Sequence, residues 1–294
     1  MSSRFSKNDF NLDDYDTDFR PKKSRSKSRQ NSDYEDFSEE KTIHIKEFDL
    51  GMISPNDVTS KNGTKIVVIG KPGTGKSTLI SDIIASKAHI IPVAQVFSGT
   101  EDSNHFYSEK MPSVCVYNKL DLNAIEQFAV RQKIAKQYLE NPWALQIIDD
   151  CTDDPKILKR PIFQAYYKNG RHWKMLHILS LQYCLDIPPS IRTNIDYTFI
   201  LREPNLSNRE KLHKNFANCI DHFQDFQEIM DTVTEDYTAL VINNTVQSNK
   251  IEDCVFWYKA DHNRLPSTWK FGHPTAWEFH KERMDPNYHD PFIV

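Results

Sequence analysis

The chain has 294 residues, of which 38% are hydrophobic and 12% aromatic, with a formal net charge of −4. It can bury the core of one α/β domain with extensions, and it lacks an overall basic field, so a polyanion would have to be met by a local surface or a ring of subunits. Its five cysteines, Cys115, Cys151, Cys184, Cys219 and Cys254, are scattered without a C-x-x-C pair, and no apolar run approaches the ~18 residues of a membrane span; a disulfide framework, a cysteine zinc site and a membrane-spanning segment are not expected, and a soluble intracellular protein is.

Residues 1–45 form the first segment, acidic from Asp9 to Asp18, basic from Arg20 to Arg29 and acidic again from Asp33 to Glu40. So little apolar surface cannot offset the entropy of ordering, and the composition predicts a disordered, charged, serine-rich tail. The cluster Arg20, Lys22, Lys23, Arg25, Lys27 and Arg29 fits a solvated tail; nucleic-acid binding or phosphorylation of the interleaved serines are the alternatives.

A single domain is expected over residues 46–260, and its opening elements point to a P-loop ATPase. Lys65–Ile69 reads as a strand, and the helix after it begins near Thr78. Between them Gly70, Lys71, Pro72, Gly73, Thr74, Gly75, Lys76 and Ser77 form a phosphate-binding loop. Its glycines free backbone N–H groups to converge with Thr78 on a polyphosphate, Lys76 reaches the β and γ phosphates, and Ser77 offers a hydroxyl to magnesium. ATP and Mg2+ are the expected ligands.

Ile90–Ser98 reads as a second strand running into Gly99-Thr100-Glu101-Asp102, and Leu122–Glu140 has helical periodicity. Three further strands follow, Trp143–Ile148, Leu176–Leu181 and Tyr197–Leu201. Strands alternating with helices predict a mainly parallel sheet covered on both faces. In such a sheet ligands collect at the carboxyl ends of the strands. Asp149 there would hold magnesium, and Asp150 would orient or polarise the attacking water. Gln182, closing the next strand, suits a γ-phosphate sensor if its strand lies between those of the phosphate loop and Asp149. Arg171, projected by the turn Asn169-Gly170, is the first candidate for an arginine reaching a neighbouring subunit's nucleotide, ahead of Arg192 and Arg202.

Asn208–Thr232 reads as one helix with an apolar face of Leu212, Phe216, Ile220, Phe223, Phe226 and Ile229, and Thr238–Ile242 and Cys254–Tyr258 as two strands that extend the sheet. Residues 261–294 are expected to be an irregular C-terminal extension. Two other functions fit a phosphate loop: a small-molecule or nucleoside kinase, which should carry lid arginines not found after Asp149, and a slow nucleotide switch or scaffold. Asn118-Lys119-Leu120-Asp121 fits a guanine-reading string literally but precedes Asp149, so its order along the sheet is wrong.

In order along the chain, Gly70–Ser77, Val96–Asn104, Ile147–Cys151, Gly170–His172, Gln182 and Ile187–Asp196 resemble the genome-packaging ATPases of the nucleocytoplasmic large DNA viruses, within the FtsK/HerA superfamily. The resemblance covers close to half the chain. It implies a RecA-like P-loop core assembling into a homo-oligomeric ring, a hexamer, that drives double-stranded DNA into a capsid through backbone contacts, with capsid or portal components as partners and viral assembly sites in the host cytoplasm as the location. It further implies Lys76 and Ser77 on phosphate and magnesium, Asp149 and Asp150 as the Walker B pair, Gln182 as sensor and Arg171 as trans-acting arginine. The superfamily often has glutamate where this chain has Asp150, which leaves Glu101 as an alternative water-activating group.

Overall fold

The alternating strand and helix patterns build one mixed sheet, seen in a computed structural model that describes residues 16–19, 43–151, 154, 156–248, 250–264 and 266–283. Its strands are β1 (Asp16–Phe19), β2 (Ile43–Glu47), β3 (Lys65–Ile69), β4 (Val93–Ser98), β5 (Val116–Tyr117), β6 (Ala144–Asp149), β7 (Met175–Leu181), β8 (Tyr197–Ile200), β9 (Ala239–Asn243) and β10 (Val255–Tyr258). The helices are α1 (Lys76–Lys87), α2 (Glu101–Asn104), α3 (Leu122–Tyr138), α4 (Pro161–Asn169), α5 (Pro189–Arg192), α6 (Leu206–Phe216), α7 (Phe223–Val233), α8 (Ile251–Cys254) and α9 (Pro274–Arg283).

The ten strands run in the order β1-β2-β10-β9-β8-β3-β7-β6-β4-β5. From β8 to β5 every pairing is parallel, β9 is antiparallel to both β8 and β10, and β10 is parallel to β2. The sheet is therefore mainly parallel and flanked by helices, as expected. Alternate residues feed two apolar layers: Ile66 and Val68 of β3 pack with Leu79, Ile80, Ile83 and Ile84 of α1, while Val67 and Ile69 face the side holding Ile125, Phe163, Leu212 and Phe226. Burial on both faces explains why β3 and β7 read as largely apolar runs, interrupted in β7 only by His177 and Ser180.

Three expectations change. The stretch read as one helix is two, α6 and α7, because the chain leaves helical geometry at Ala217 and the His213 ring bonds the Ile220 carbonyl at 2.6 Å across the break. The apolar stripe persists through it, since Phe216, Ile220 and Phe226 are all buried, so a continuous stripe did not require a continuous helix. The C-terminal extension is not irregular throughout. Phe271 inserts into the α1 layer, and α9 follows with Pro274 in its first turn and the Trp277 indole N–H donating to the Phe271 carbonyl at 2.8 Å. Finally, Asp16–Phe19, inside the segment read as a disordered tail, pairs antiparallel with Ile43–Glu47, whose backbone offers a free edge. The rest of that tail up to residue 42, including the basic cluster, lies outside the described residues. Among the described residues no helix is long and apolar enough to cross a membrane.

Candidate active site

Register brings the site together. β7 lies between β3 and β6, pairing Ile69 with Leu181 and Asp149 with Ser180, so the phosphate loop, Asp149, Asp150 and Gln182 all emerge at one edge of the sheet. The loop is locked at its start by Gly70 N–H donating to the Leu181 carbonyl at 3.0 Å. A side chain at Gly70 would come within 2.6 Å of Thr74 Oγ1 and 2.9 Å of Leu201 Cβ, and Gly75 has a φ of 96°, so both positions require glycine. Helix α1 starts directly at Lys76, which aims its N-terminal N–H groups and dipole into the loop.

Lys76 is buried and its ammonium is held from two sides: it donates to the Gly70 carbonyl at 2.8 Å and pairs with Asp150 Oδ2 at 2.9 Å. Gln182 Nε2 reaches the same Asp150 oxygen at 3.3 Å. Asp150 has a φ of 49°, a left-handed conformation that costs a non-glycine residue energy and marks a constrained position. Ser77 is exposed beside them. Asp149 is buried; Oδ2 accepts from the Tyr107 hydroxyl at 2.9 Å, and Oδ1 has no hydrogen-bond partner. Burial pushes the Asp149 carboxyl above its ordinary range, opposed by the Ser180 and Tyr107 hydroxyls. An orphan buried carboxylate oxygen on the phosphate side of the sheet is the donor a hard cation satisfies, so Asp149 and Ser77 fit magnesium.

Other predicted residues have structural partners. Both Glu101 oxygens are engaged, accepting from the Tyr107 and Ser108 backbone N–H groups at 3.0 and 2.8 Å, which makes it a poor alternative to Asp150. Lys71 pairs with Glu203 Oε1 at 2.7 Å. Arg171 lies at the opposite edge, before β7, with its guanidinium on the Asp196 carboxylate. The seven residues of β7 separate it from its own phosphate loop by about 20 Å, too far for it to reach a nucleotide held in that loop. Arg192 bonds Asn215 and stacks near Phe216, whereas Arg202, exposed just past β8 at the phosphate edge, makes no hydrogen bond or ion pair among the described residues. The Asn118–Asp121 string sits past β5 at the far end of the sheet, where Asp121 caps α3.

Sequence reasoning missed Tyr107, Glu203 and Asp82. Asp82, on the α1 turn beyond the loop, accepts from the Tyr258 hydroxyl at 2.5 Å, the Asp261 N–H at 2.8 Å and Arg264 Nε, fastening the exit of β10 to the helix of the phosphate loop. The only sequence signal was an acid on an otherwise apolar helix face.

Comparison with known proteins bears on the same core. The family described as Poxvirus A32 protein matches residues 56–267, from ahead of β3 to beyond β10. The chain belongs to that family. Among viral relatives, uncharacterized protein 088R of Invertebrate iridescent virus 3 is 48% identical over 242 residues, covering 81% of this chain and 93% of the relative. Uncharacterized protein L437 of Acanthamoeba polyphaga mimivirus is 28% identical over 258 residues, covering 84% and 86%. Of solved structures, the genome packaging NTPase B204 from Sulfolobus turreted icosahedral virus 2, in complex with AMPPCP, matches with a TM-score of 0.50 at 17% identity, covering 67% of this chain and 98% of that one. At that identity the likeness is one of fold, and it confirms the P-loop NTPase architecture expected from the loop and strand order.

Proposed function

We propose that the chain is an ATP-hydrolysing motor that moves double-stranded viral DNA into the capsid during virion assembly, working as a ring, a hexamer, at assembly sites in the host cytoplasm and engaging capsid or portal components. The observation that carries the catalytic part is the convergence of Lys76 and Gln182 on the Asp150 carboxylate beside the phosphate loop. Family membership and the fold shared with a packaging NTPase support the packaging part.

In this reading the loop amides and Lys76 bind the β and γ phosphates, and Lys76 leaves Asp150 to do so. The freed Asp150 carboxylate orients the attacking water and accepts its proton. Gln182, one hydrogen bond away, registers whether the γ-phosphate is present. Ser77 and Asp149 Oδ1 would hold a magnesium ion, which supplies charge neutralisation on the phosphates.

Steady-state ATPase measured with and without long double-stranded DNA tests the motor. Severalfold stimulation by duplex, absent in an Asp149→Ala/Asp150→Ala control and lost at high salt, is the expected result, because contacts to the DNA backbone release counterions. Hydrolysis indifferent to duplex counts against it.

Arg171 is proposed to act across the subunit boundary. Arg171→Ala should lower turnover by about 10³-fold or more while leaving ATP affinity within a few-fold. Mixing it with Lys76→Ala subunits should restore activity at shared boundaries, where an intact phosphate loop meets an intact arginine. Normal turnover in Arg171→Ala alone would remove it from the mechanism.

A further inference from the structure

The segment leading into β9 carries an unexplained strain. Asp236 and Tyr237 are successive non-glycine residues with left-handed φ of 51° and 62°. A tyrosine pays conformational energy there that a glycine would not. The turn is held by Thr238 N–H donating to the Glu235 carbonyl at 3.0 Å and by the Asp236–Lys259 ion pair at 2.5 Å. Burial of the Tyr237 side chain offsets little of that cost, since it is 63% exposed.

Its location gives the strain a use. β9 runs antiparallel to β8, with Leu240 opposite Ile200, and Ile200 is itself opposite Ile69, so β9 begins at the edge where β3 delivers the phosphate loop. A Cβ placed on Gly75 would lie 3.3 Å from Tyr237 Cδ1 and 3.4 Å from its Cβ, so the tyrosine rests directly on the glycine preceding Lys76. The neighbouring wall is also fixed to the loop: Lys259 pairs with Asp236, and Asp261 and Arg264 are pinned to Asp82 of α1. A flat aromatic face is thus presented to solvent against the side of a phosphate cradle.

We propose that Tyr237 is the platform on which the base of the bound nucleotide stacks. The assignment rests on the nucleotide-binding reading of the phosphate loop and deepens it by naming what meets the base. Every base has a π face, so a stacking platform contributes affinity without hydrogen-bond reading, and the larger purines overlap it more than pyrimidines do. It accounts for base binding in a chain whose one base-reading string sits at the far end of the sheet.

The test separates base from phosphate. ATP and inorganic triphosphate, each with magnesium, are titrated calorimetrically into the full-length chain and into Tyr237→Ala, Tyr237→Phe and Lys76→Ala. Tyr237→Ala should weaken ATP about tenfold or more and leave inorganic triphosphate within about twofold, while Tyr237→Phe, which keeps the ring, should bind both as the native chain does. Unchanged ATP affinity in Tyr237→Ala would overturn the proposal. So would equal weakening of both ligands, which would make the ring a support for the loop. Failure of the native chain to bind inorganic triphosphate, or binding that survives Lys76→Ala, would instead overturn the phosphate-loop reading on which the proposal rests.

Discussion

Asp150→Asn is expected to bind ATP at least as tightly as the native chain while its turnover falls by about 10²- to 10⁴-fold. The Lys76 ammonium pairs with Asp150 Oδ2 at 2.9 Å, so a γ-phosphate competes with that carboxylate for the same cation. Asparagine keeps the shape and an acceptor for Gln182 but gives up the charge, which removes the competitor and the general base together. Lys76→Ala is the contrasting variant, in which affinity and turnover should both fail because the charge facing the phosphates is gone. Equilibrium titration of ATP beside single-turnover hydrolysis separates the two outcomes. Turnover in Asp150→Asn within about tenfold of native would rule Asp150 out as the base. Glu101 is not placed to rescue it, because both of its oxygens are committed to the Tyr107 and Ser108 amides.

What the sequence revealed and what it hid divides by how local each interaction is. Gly70 to Ser77, the strand before them and Asp149-Asp150 were legible because a phosphate loop is contiguous: its glycines, lysine and flanking strand are specified within a dozen residues. The position of β7 between β3 and β6 was legible only as a condition attached to Gln182, and the register meets it. The reversal of β9 and the pairing of β10 with β2 were not legible, because a strand buried on both faces carries no mark of its direction. Tyr107, Glu203 and Asp82 were hidden for a related reason. Each meets its partner across a long separation in the chain, as Asp82 does with Arg264, and an isolated Asp or Tyr has no periodicity to betray it. The α6–α7 break escaped because no glycine or proline marks residues 217–222, and the apolar spacing runs on through it.

Asp196→Ala is expected to destabilise the fold by about 2–3 kcal/mol, the cost of leaving the buried Lys65 N–H without its acceptor and the Lys65 ammonium without the neighbouring carboxylate, and to lower the melting temperature by several degrees. Asp196 sits at the edge of the sheet away from the nucleotide, where Oδ2 accepts from the Lys65 N–H at 2.8 Å and Oδ1 from Arg171. Lys65 is almost completely buried, its ammonium donating to the Tyr167 carbonyl at 2.6 Å, and burial pulls its pKa down to about 8 against the pull of Asp196. His177 beside it is held down to about 3 by burial and by Lys65, so it stays neutral and adds no second cation. The half-exposed Arg171 pair contributes little by itself, since solvent screens it. The Lys65 charge therefore adds to the lost backbone hydrogen bond, and Lys65→Met in the Asp196→Ala background should recover part of the loss by removing the stranded cation. Urea unfolding of the three chains decides this. A loss below about 1 kcal/mol in Asp196→Ala, or no recovery in the double variant, would show that the Lys65 charge is not what Asp196 holds in place.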